Sequence, residues 1–297
     1  MTKSAVVALI GRPSVGKSSL VNLLCKAKVA IVSPSPQTTR NAIRGIVNRE
    51  EGQLVFIDTP GRHISEKKFN KKLMDLSDRT LQEAEIILYV LDCSRPIGQE
   101  EEAVAEKLIP FQDRCIAVIN KIDLSEDTQN YHNFLDLKLP GINAERRFEI
   151  SCFNRDAPDA ILDCLYKMAP MDQPLYPEDY YTDQDMNFRI SEIIREKAIN
   201  RLRQELPHSI YVEVADLELK DRAEGGQRLW VRAFIITERE SQKGMIVGKG
   251  GEKIKAIGEA ARKELNRIFD WKVELDLRVK TGKDWRHNDH LLRKIIS

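Results

Sequence analysis

Short, continuous apolar runs recur along the first half of the chain and are rich in β-branched residues. Such runs are typical of strands that are covered on both faces. They are Val6–Ile10, Leu54–Ile57, Ile86–Leu91, Ile116–Ile119 and Phe148–Ile150. Segments of helical length and pattern lie between most of them, with examples at Ser18–Leu24, Lys68–Glu83, Glu101–Leu108 and Ala160–Met168. The alternation predicts an α/β domain over residues 1–170, with a mainly parallel sheet and helices on both faces.

The pattern changes after residue 170. Residues 171–186 are acidic, contain Pro174 and Pro177 and lack a sustained period, which predicts an interdomain connection. Residues 187–297 then read as a small α+β domain with the order α-β-β-α-α-β and a C-terminal tail. Its predicted parts are an amphipathic helix over Asn187–Glu205, two alternating strands, a short helix, a loop at Gly248–Gly251, a helix over Glu252–Phe269 and a last strand through Val279.

The composition excludes several classes of protein but selects none. The 297 residues are 42% hydrophobic and 31% charged with a net charge of +1, so we expect a soluble globular protein whose bulk charge names no partner. No apolar run approaches the ~20 residues that span a bilayer, and no signal peptide is expected. The five cysteines contain no C-x-x-C pair, which favours reduced thiols in an intracellular protein.

A phosphate-binding loop is the strongest chemical signal. Its residues match G-x-x-x-x-G-K-[ST] between a predicted strand and a predicted helix: Gly11, Arg12, Pro13, Ser14, Val15, Gly16, Lys17 and Ser18. The two glycines let backbone N–H groups turn toward phosphate oxygens, and the helix N-terminus adds its positive end. Lys17 is predicted to reach the β- and γ-phosphates, and the Ser18 hydroxyl to bind Mg²⁺.

Two further segments complete the predicted phosphate end of the site. Asp58, Thr59, Pro60 and Gly61 follow a strand, so that Asp58 can hold Mg²⁺ through water while Gly61 offers a backbone N–H to the γ-phosphate. Gln37-Thr38-Thr39-Arg40 lies in a proline-bearing loop, and one threonine is expected to bind Mg²⁺. We prefer Thr39 to Thr38. Lys17, Thr39 and Gly61 are the predicted catalytic residues.

The base-recognising part is predicted from N-K-x-D, the guanine motif of GTPases. Asp123 can accept hydrogen bonds from guanine N1–H and the 2-amino group, and a buried Asp123 would be left unpaired against adenine. Lys121 is expected to pack its stem over the base, and Asn120 to tie this loop to the phosphate loop. Ser151 and Cys152 fall where a backbone contact to guanine O6 is expected. These motifs, each at a strand end, predict a GTPase.

A second binding loop is predicted near residue 248, where Gly248-Lys249-Gly250-Gly251 matches the G-x-x-G loop of KH domains. In such domains the loop backbone approaches the phosphates of a short single-stranded nucleic acid. The predicted RNA-binding residues are Lys243, Gly244, Gly248, Lys249, Gly250, Gly251 and Lys253.

With these motifs in place, the whole chain resembles the bacterial Era-like GTPases. The resemblance includes Gly11-Arg12-Pro13, Gln37–Arg40, Asp58–His63, Asn120–Asp123, Pro177–Tyr180, Ser191–Lys197, Glu205-Leu206-Pro207, Ser241–Gly244 and Lys283–Arg286. It implies a P-loop GTPase domain followed by a type II KH domain. It also implies binding to the 3′ end of 16S ribosomal RNA and a role in assembly of the 30S subunit. The implied location is the cytoplasm, with peripheral association at the inner membrane, and we expect a monomer.

Two residues depart from the family pattern. Ser14 replaces the usual asparagine, which is linked in related GTPases to a potassium ion, and Arg62 replaces an apolar residue. No water-positioning glutamine is present after Gly61, so slow intrinsic hydrolysis is expected.

Two other classes of function are alternatives to the hypothesis of an RNA-binding GTPase. A metabolic P-loop kinase conflicts with the guanine motif. A GTP-dependent protein-interaction module, whose KH-like domain does not bind RNA, is the alternative that the sequence excludes least well. We also expect GTP to order the segments around Gln37–Arg40 and after Gly61, and thereby to change RNA affinity.

Overall fold

The computed structural model describes residues 2–34, 38–60, 68–125, 127–154, 158–202, 209–221, 226–282 and 285. Contacts divide the chain into two units. The first comprises residues 1–30 and 39–183, and the second comprises residues 31–38 and 184–297. Among the described residues, no helix is long and apolar enough to cross a membrane.

The first unit is built on a sheet with the order β2-β3-β1-β4-β5-β6. Its strands are β1 (Thr2–Ile10), β2 (Ile43–Arg49), β3 (Gly52–Asp58), β4 (Ile86–Asp92), β5 (Cys115–Asn120), β6 (Arg147–Ile150) and β7 (Met171–Asp172). Strands β3, β1, β4, β5 and β6 run parallel, whereas β2 pairs antiparallel with β3 and β7 antiparallel with β1. Every residue of β3, β4 and β5 is buried, as the continuous apolar runs predict.

Five helices, described over all or most of their length, alternate with the strands of the first unit along the chain. They are α1 (Lys17–Leu24), α2 (Lys68–Glu83), α3 (Gln99–Leu108), α4 (Gln129–Lys138) and α5 (Pro158–Met168). A core cluster joins β4 and β5 to α3 and α4, with Ile87, Leu91, Val104, Ile119 and Leu135 among its buried members. The predicted α/β fold class is confirmed.

The predicted connection packs for most of its length against the first unit. The buried side chain of Gln53 in β3 accepts hydrogen bonds from Leu175 N (2.8 Å) and Tyr176 N (2.9 Å), and its amide donates to Tyr176 O (2.8 Å). Farther along, Ile46 N of β2 donates to Tyr181 O at 2.9 Å. Residues 171–183 therefore belong to the first unit by contact. The functional extents 1–170, 171–186 and 187–297 stay predictions.

The second unit packs two long helices on one face of a three-stranded sheet. Its elements are α6 (Met186–Ile199), β8 (Tyr211–Asp221), β9 (Gln227–Thr237), α7 (Glu240–Val247), α8 (Glu252–Ile268) and β10 (Lys272–Thr281). The sheet order is β10-β9-β8, with β9 parallel to β10 and antiparallel to β8. Alternate residues of β9 pack against Ile194 of α6 and Ile257 of α8: these are Leu229, Val231, Ala233 and Ile235. This α+β order is the predicted one.

The second unit also includes the segment before Thr39. Val32 N donates to the buried carboxylate of Glu196 at 2.8 Å, and Arg195 Nη2 donates to Thr38 O at 2.6 Å. Both side chains belong to α6. Residues 35–37, including the predicted Gln37, lie outside the described residues.

Candidate functional site

The loop between β1 and α1 has the conformation that a phosphate-binding loop requires. Gly11 (φ +155°), Ser14 (φ +65°) and Gly16 (φ +103°) have positive φ angles, which direct consecutive backbone amides toward a common centre. A Cβ at Gly11 would lie 2.4 Å from Val90 O, and one at Gly16 would lie 2.3 Å from Asn120 Nδ2. Both glycines are therefore required by space as well as by conformation.

Lys17 at the start of α1 is buried beneath this loop. Its ammonium donates to the carbonyl oxygens of Gly11 (3.0 Å) and Arg12 (3.1 Å). Burial lowers the pKa of Lys17 to about 8, and the nearby carboxylates of Asp58 and Glu101 oppose this shift. The chain therefore holds a desolvated cation where the phosphates of a nucleotide would enter, and anionic oxygens would relieve its desolvation.

Three oxygen ligands that suit Mg²⁺ meet beside Lys17. Ser18 Oγ lies 2.5 Å from Asp58 Oδ2 and 3.0 Å from Thr39 Oγ1, and Thr39 Oγ1 lies 3.2 Å from Asp58 Oδ2. The second carboxylate oxygen, Asp58 Oδ1, is buried without a hydrogen-bond partner. Burial raises the pKa of Asp58, with Lys17 opposing the shift. Hydroxyl and carboxylate oxygens around an unsatisfied buried acceptor fit a hard divalent cation.

The base-recognising loops are fastened to the phosphate loop by Asn120. Its Nδ2 donates to Val15 O at 2.8 Å, and its Oδ1 accepts from Cys152 N at 3.1 Å. Ser151 Oγ donates to Asp123 Oδ1 at 2.5 Å and accepts from Asn154 N, so the guanine-reading carboxylate has a fixed orientation. Asp123 is exposed, contrary to the expectation that it is buried, because it lies in a turn beyond the end of β5.

The exposure of Asp123 changes the argument for specificity. The carboxylate of Asp123 is open to solvent. The penalty against adenine therefore arises when the base itself covers the carboxylate.

The structure brings nearly all the predicted nucleotide-site residues to one end of the sheet. Thr59 is buried with its hydroxyl donating to Leu9 O at 2.7 Å, and Pro60 is buried beside it. The guanidinium of Arg12 is paired with Glu101 at 2.7 Å inside the protein, which leaves the backbone of Arg12 for the predicted nucleotide contact. Gly61 and Arg62 lie outside the described residues. The roles assigned to the individual site residues stay predictions.

Sequence reasoning missed two buried carboxylates at this end of the sheet. Glu101 in α3 pairs with Arg12 and lies 3.4 Å from Tyr89 Oη, and Asp92 ends β4 beside Lys121. Asp92 could have been found by the strand-end rule that found Asp58. Glu101 could not, because it lies among three consecutive glutamates whose pattern resembles a solvated helix start.

The predicted RNA-binding loop lies between α7 and α8. Gly248 (φ +75°), Gly250 (φ +59°) and Gly251 (φ +81°) adopt left-handed conformations, and a Cβ at Gly250 or Gly251 would meet no atom within 4 Å. Gly244 is equally open. The buried Ile246 fixes α7 to the core. The loop therefore presents accessible backbone that another molecule can approach closely.

Lysines surround this open backbone. Lys249 and Lys253 are exposed, and Lys253 Nζ lies 3.4 Å from Met245 O. Lys243 is half-buried and pairs with Glu240 at 3.2 Å on the same helix. Such surface pairs are weak and exchange readily for other anions. The arrangement suits the phosphates of a single-stranded nucleic acid.

The two halves of the chain thus combine a P-loop GTPase domain with a KH domain, and comparison with known families agrees. Residues 6–121 match the family described as 50S ribosome-binding GTPase, and residues 205–286 match the KH domain family.

The chain belongs to the Era GTPase family and is a GTP-hydrolysing enzyme. GTPase Era of Treponema denticola is 49% identical over 98% of this chain and 99% of its own, and that of Borreliella afzelii is 43% identical over 99% of this chain and its full length.

Solved structures give the same relationship. A single-residue variant of Aquifex aeolicus Era bound to GDP·AlF₄⁻ is 34% identical, with a TM-score of 0.90 over 98% of each chain. Era in complex with MgGDPNP and nucleotides 1506–1542 of 16S ribosomal RNA has a TM-score of 0.91 and 34% identity, over 99% of this chain and 98% of its own. Both relatives hold a guanine nucleotide, and the second also holds the Mg²⁺ that the motifs predict.

The position of Thr39 generates a first prediction. Thr39→Val keeps the shape of the side chain and removes the hydroxyl beside Ser18 and Asp58. The Mg²⁺ concentration for half-maximal GTP hydrolysis should rise about ten-fold or more, because one oxygen ligand is lost. A Mg²⁺ titration of the hydrolysis rate measures this. Thr39→Ser is the matched control and should behave as the native protein. If Thr38→Val shows the loss instead, Thr38 is the ligand.

The ion pair of Glu101 generates a prediction on pH. Burial raises the pKa of Glu101 to about 7, with Arg12 opposing the shift. Because the pKa of Glu101 is higher in the folded than in the unfolded protein, protonated Glu101 stabilises the fold. This contribution is fully present below about pH 4.5 and is lost as the pH rises through about 7. Glu101→Gln cannot lose it, so the unfolding free energy of this variant minus that of the native protein should increase over this range, by on the order of 1–3 kcal/mol.

Calorimetric unfolding between pH 4.5 and 8 measures this difference. The control is Glu102→Gln, at the neighbouring exposed position of α3. Parallel pH curves for native protein and Glu101→Gln would show that the carboxyl of Glu101 titrates normally.

Proposed function

We propose that this chain is a switch that binds GTP or GDP with Mg²⁺ in its first unit and ribosomal RNA in its second. The RNA is the 3′ end of 16S ribosomal RNA, and the process served is assembly of the 30S subunit. The observation that carries the nucleotide part is the convergence of Ser18, Thr39 and Asp58 oxygens beside the buried Lys17.

The residues divide the work at the phosphates. Lys17 exchanges its loop carbonyl partners for phosphate oxygens, and the amides of the glycine loop donate to the same anion. Ser18 and Thr39 hold Mg²⁺ directly and Asp58 holds it through water. The metal neutralises charge on the β- and γ-phosphate oxygens. Hydrolysis needs little further protein chemistry, because positioning and electrostatic stabilisation supply most of the catalysis of phosphoryl transfer.

The guanine base is read at the opposite end of the site. Asp123 accepts two hydrogen bonds from the base, and Ser151 holds the carboxylate in the plane that makes both bonds possible. The stem of Lys121 covers the ring, and the backbone of Ser151-Cys152 meets O6. Because adenine offers no donor at N1 and none at position 2, GTP is preferred to ATP.

The second unit contributes the RNA site. The open backbone at Gly250 and Gly251 and the exposed Lys249 and Lys253 support phosphate contacts that carry little sequence information. The likeness to a relative whose complex contains 16S ribosomal RNA supports the choice of RNA. The protein acts in the cytoplasm as a monomer, with peripheral association at the inner membrane. The family resemblance is the support for this location.

Guanine specificity can be tested by exchanging one atom. Asp123→Asn turns one acceptor into a donor, so GTP affinity should fall and XTP affinity should rise, since xanthine carries an oxygen at position 2. The loss for GTP should be about ten-fold to 100-fold. Equilibrium binding of GTP, XTP and ATP to native protein and variant measures this. Native affinity for ATP equal to that for GTP would refute the guanine assignment.

RNA binding can be tested at the glycine loop. Gly248→Asp with Gly251→Asp places two carboxylates where RNA phosphates approach. Affinity for an oligonucleotide of the 16S 3′ end should be lost, while GTP binding is kept. The control is Gly226→Asp, because Gly226 also has a positive φ (+80°) and open surroundings. Native affinity should fall with salt as phosphate contacts require. A native protein that binds no RNA at low salt would favour a protein-interaction module instead.

The same assay tests the switch. RNA affinity measured with a GTP analogue, with GDP and without nucleotide should differ, typically by about 5-fold to 150-fold, and RNA must change GTP affinity by the same factor. Residues 31–38 support this expectation, because they belong to the second unit and lead directly into Thr39. Identical affinities in the three states would mean two independent binding units.

A further inference from the structure

Asp92, the last residue of β4, is a buried carboxylate that the nucleotide chemistry described above does not use. It is 1% exposed. Its Oδ1 accepts from the backbone N (3.0 Å) and the hydroxyl (2.5 Å) of Ser94. Its backbone oxygen accepts from Tyr131 Oη at 2.6 Å and from Arg12 Nη2 at 3.4 Å. The side chain and the backbone of Asp92 are thus fixed on several sides.

The remaining oxygen of Asp92 points to the lysine of the guanine motif. Asp92 Oδ2 lies 2.7 Å from Lys121 Nζ, and the same ammonium donates to Ser14 O of the phosphate loop at 2.8 Å. Arg95 also lies near the carboxylate of Asp92, with its Nε at 3.9 Å and most of its side chain in solvent. Asp92 therefore makes its only close ion pair, among the described residues, with Lys121.

Lys121 needs such an anchor for two reasons. Its backbone has φ +70°, a left-handed conformation that is unfavourable for a non-glycine residue. Its side chain is a flexible four-carbon stem that loses rotamer entropy when it is fixed. A stem that covers a base must be held at its far end, and the two acceptors at Asp92 and Ser14 hold the ammonium there.

We propose that Asp92 is a positioning residue for purine binding, which acts by holding the stem of Lys121 in the direction that covers the base. It touches neither the base nor the phosphates. Asp92 contributes to the affinity for any purine nucleotide in this site. It does not discriminate guanine from other 6-oxopurines, because that discrimination is made by Asp123. This inference rests on the proposed nucleotide function.

The test compares ligands with and without a base. Asp92→Asn keeps the shape and the bonds to Ser94 but removes the charge. We expect GDP and IDP to bind about ten-fold more weakly and by the same factor, because the lost hydrogen bond to a charged group acts on the shared ring. Inorganic tripolyphosphate with Mg²⁺, which has no base, should bind with unchanged affinity. Isothermal titration of the full-length protein measures all three.

A double-mutant cycle identifies the route of the effect. Lys121→Met keeps an apolar stem and removes the ammonium. If Asp92 acts through Lys121, the double variant should bind GDP no more weakly than Lys121→Met alone. Additive losses would overturn the proposal. Ser94→Ala, which removes one bond to Asp92, should weaken GDP binding in the same direction and less strongly, and this variant carries the test if Asp92→Asn unfolds.

Two controls separate the possible failures. Asp136→Asn removes an exposed carboxylate that pairs with the largely buried Arg147, away from the nucleotide motifs, and should leave all affinities unchanged. Native protein that binds no GDP would refute the proposed function itself. Native binding together with equal GDP affinity in Asp92→Asn, or with an equal loss of tripolyphosphate affinity, would refute only the positioning role.

Discussion

The nucleotide site depends on the hydrogen bonds that Asn120 makes at the end of β5. Its side chain joins Val15 of the phosphate loop to Cys152 of the last base-recognising loop, and its backbone oxygen accepts from Cys93 N after β4. Asn120 also occupies the space that a Cβ at residue 16 would need, which favours glycine at that position. One short amide side chain therefore fixes the spacing between the predicted phosphate-binding loop and the predicted base-recognising loops.

Around this anchor, the protein keeps charged groups in places where water cannot reach them. Lys17, Asp58, Arg12, Glu101 and Asp92 are all buried in the first unit. Arg12 with Glu101, and Asp92 with Lys121, are neutralised in pairs. Lys17 and Asp58 differ, since burial lowers the pKa of one and raises that of the other, and Asp58 keeps an oxygen without a partner. Asp92 and Lys121 satisfy each other within the protein, whereas Asp58 Oδ1 has no partner and Lys17 is held only by loop carbonyls, so both are available for the predicted metal and phosphates.

The central strands and the phosphate and base motifs could be predicted from the sequence because their signals are local. Buried parallel strands are continuous apolar runs, and ligands of such sheets bind at their carboxyl ends. β2 gave no such signal, because an antiparallel edge strand needs fewer apolar residues and Ile43–Arg49 includes Arg44, Gly45 and Asn48. The burial of Glu101 and the packing of residues 175–176 on Gln53 depend on partners more than 80 residues away, which no local pattern records.

The boundary between the two units falls between Thr38 and Thr39. Thr38 O accepts from Arg195 in α6, while the hydroxyl of the next residue lies beside Ser18 and Asp58. Consecutive Cα atoms are about 3.8 Å apart, so neither residue can move far without the other. Thr39 contacts Ser18 and Asp58 of the first unit, whereas Thr38 and Val32 contact Arg195 and Glu196 of α6. If the proposed switch operates, a ligand that orders one side of this peptide bond restricts the other side as well. Linkage would then require that RNA binding change GTP affinity by the same factor by which GTP changes RNA affinity.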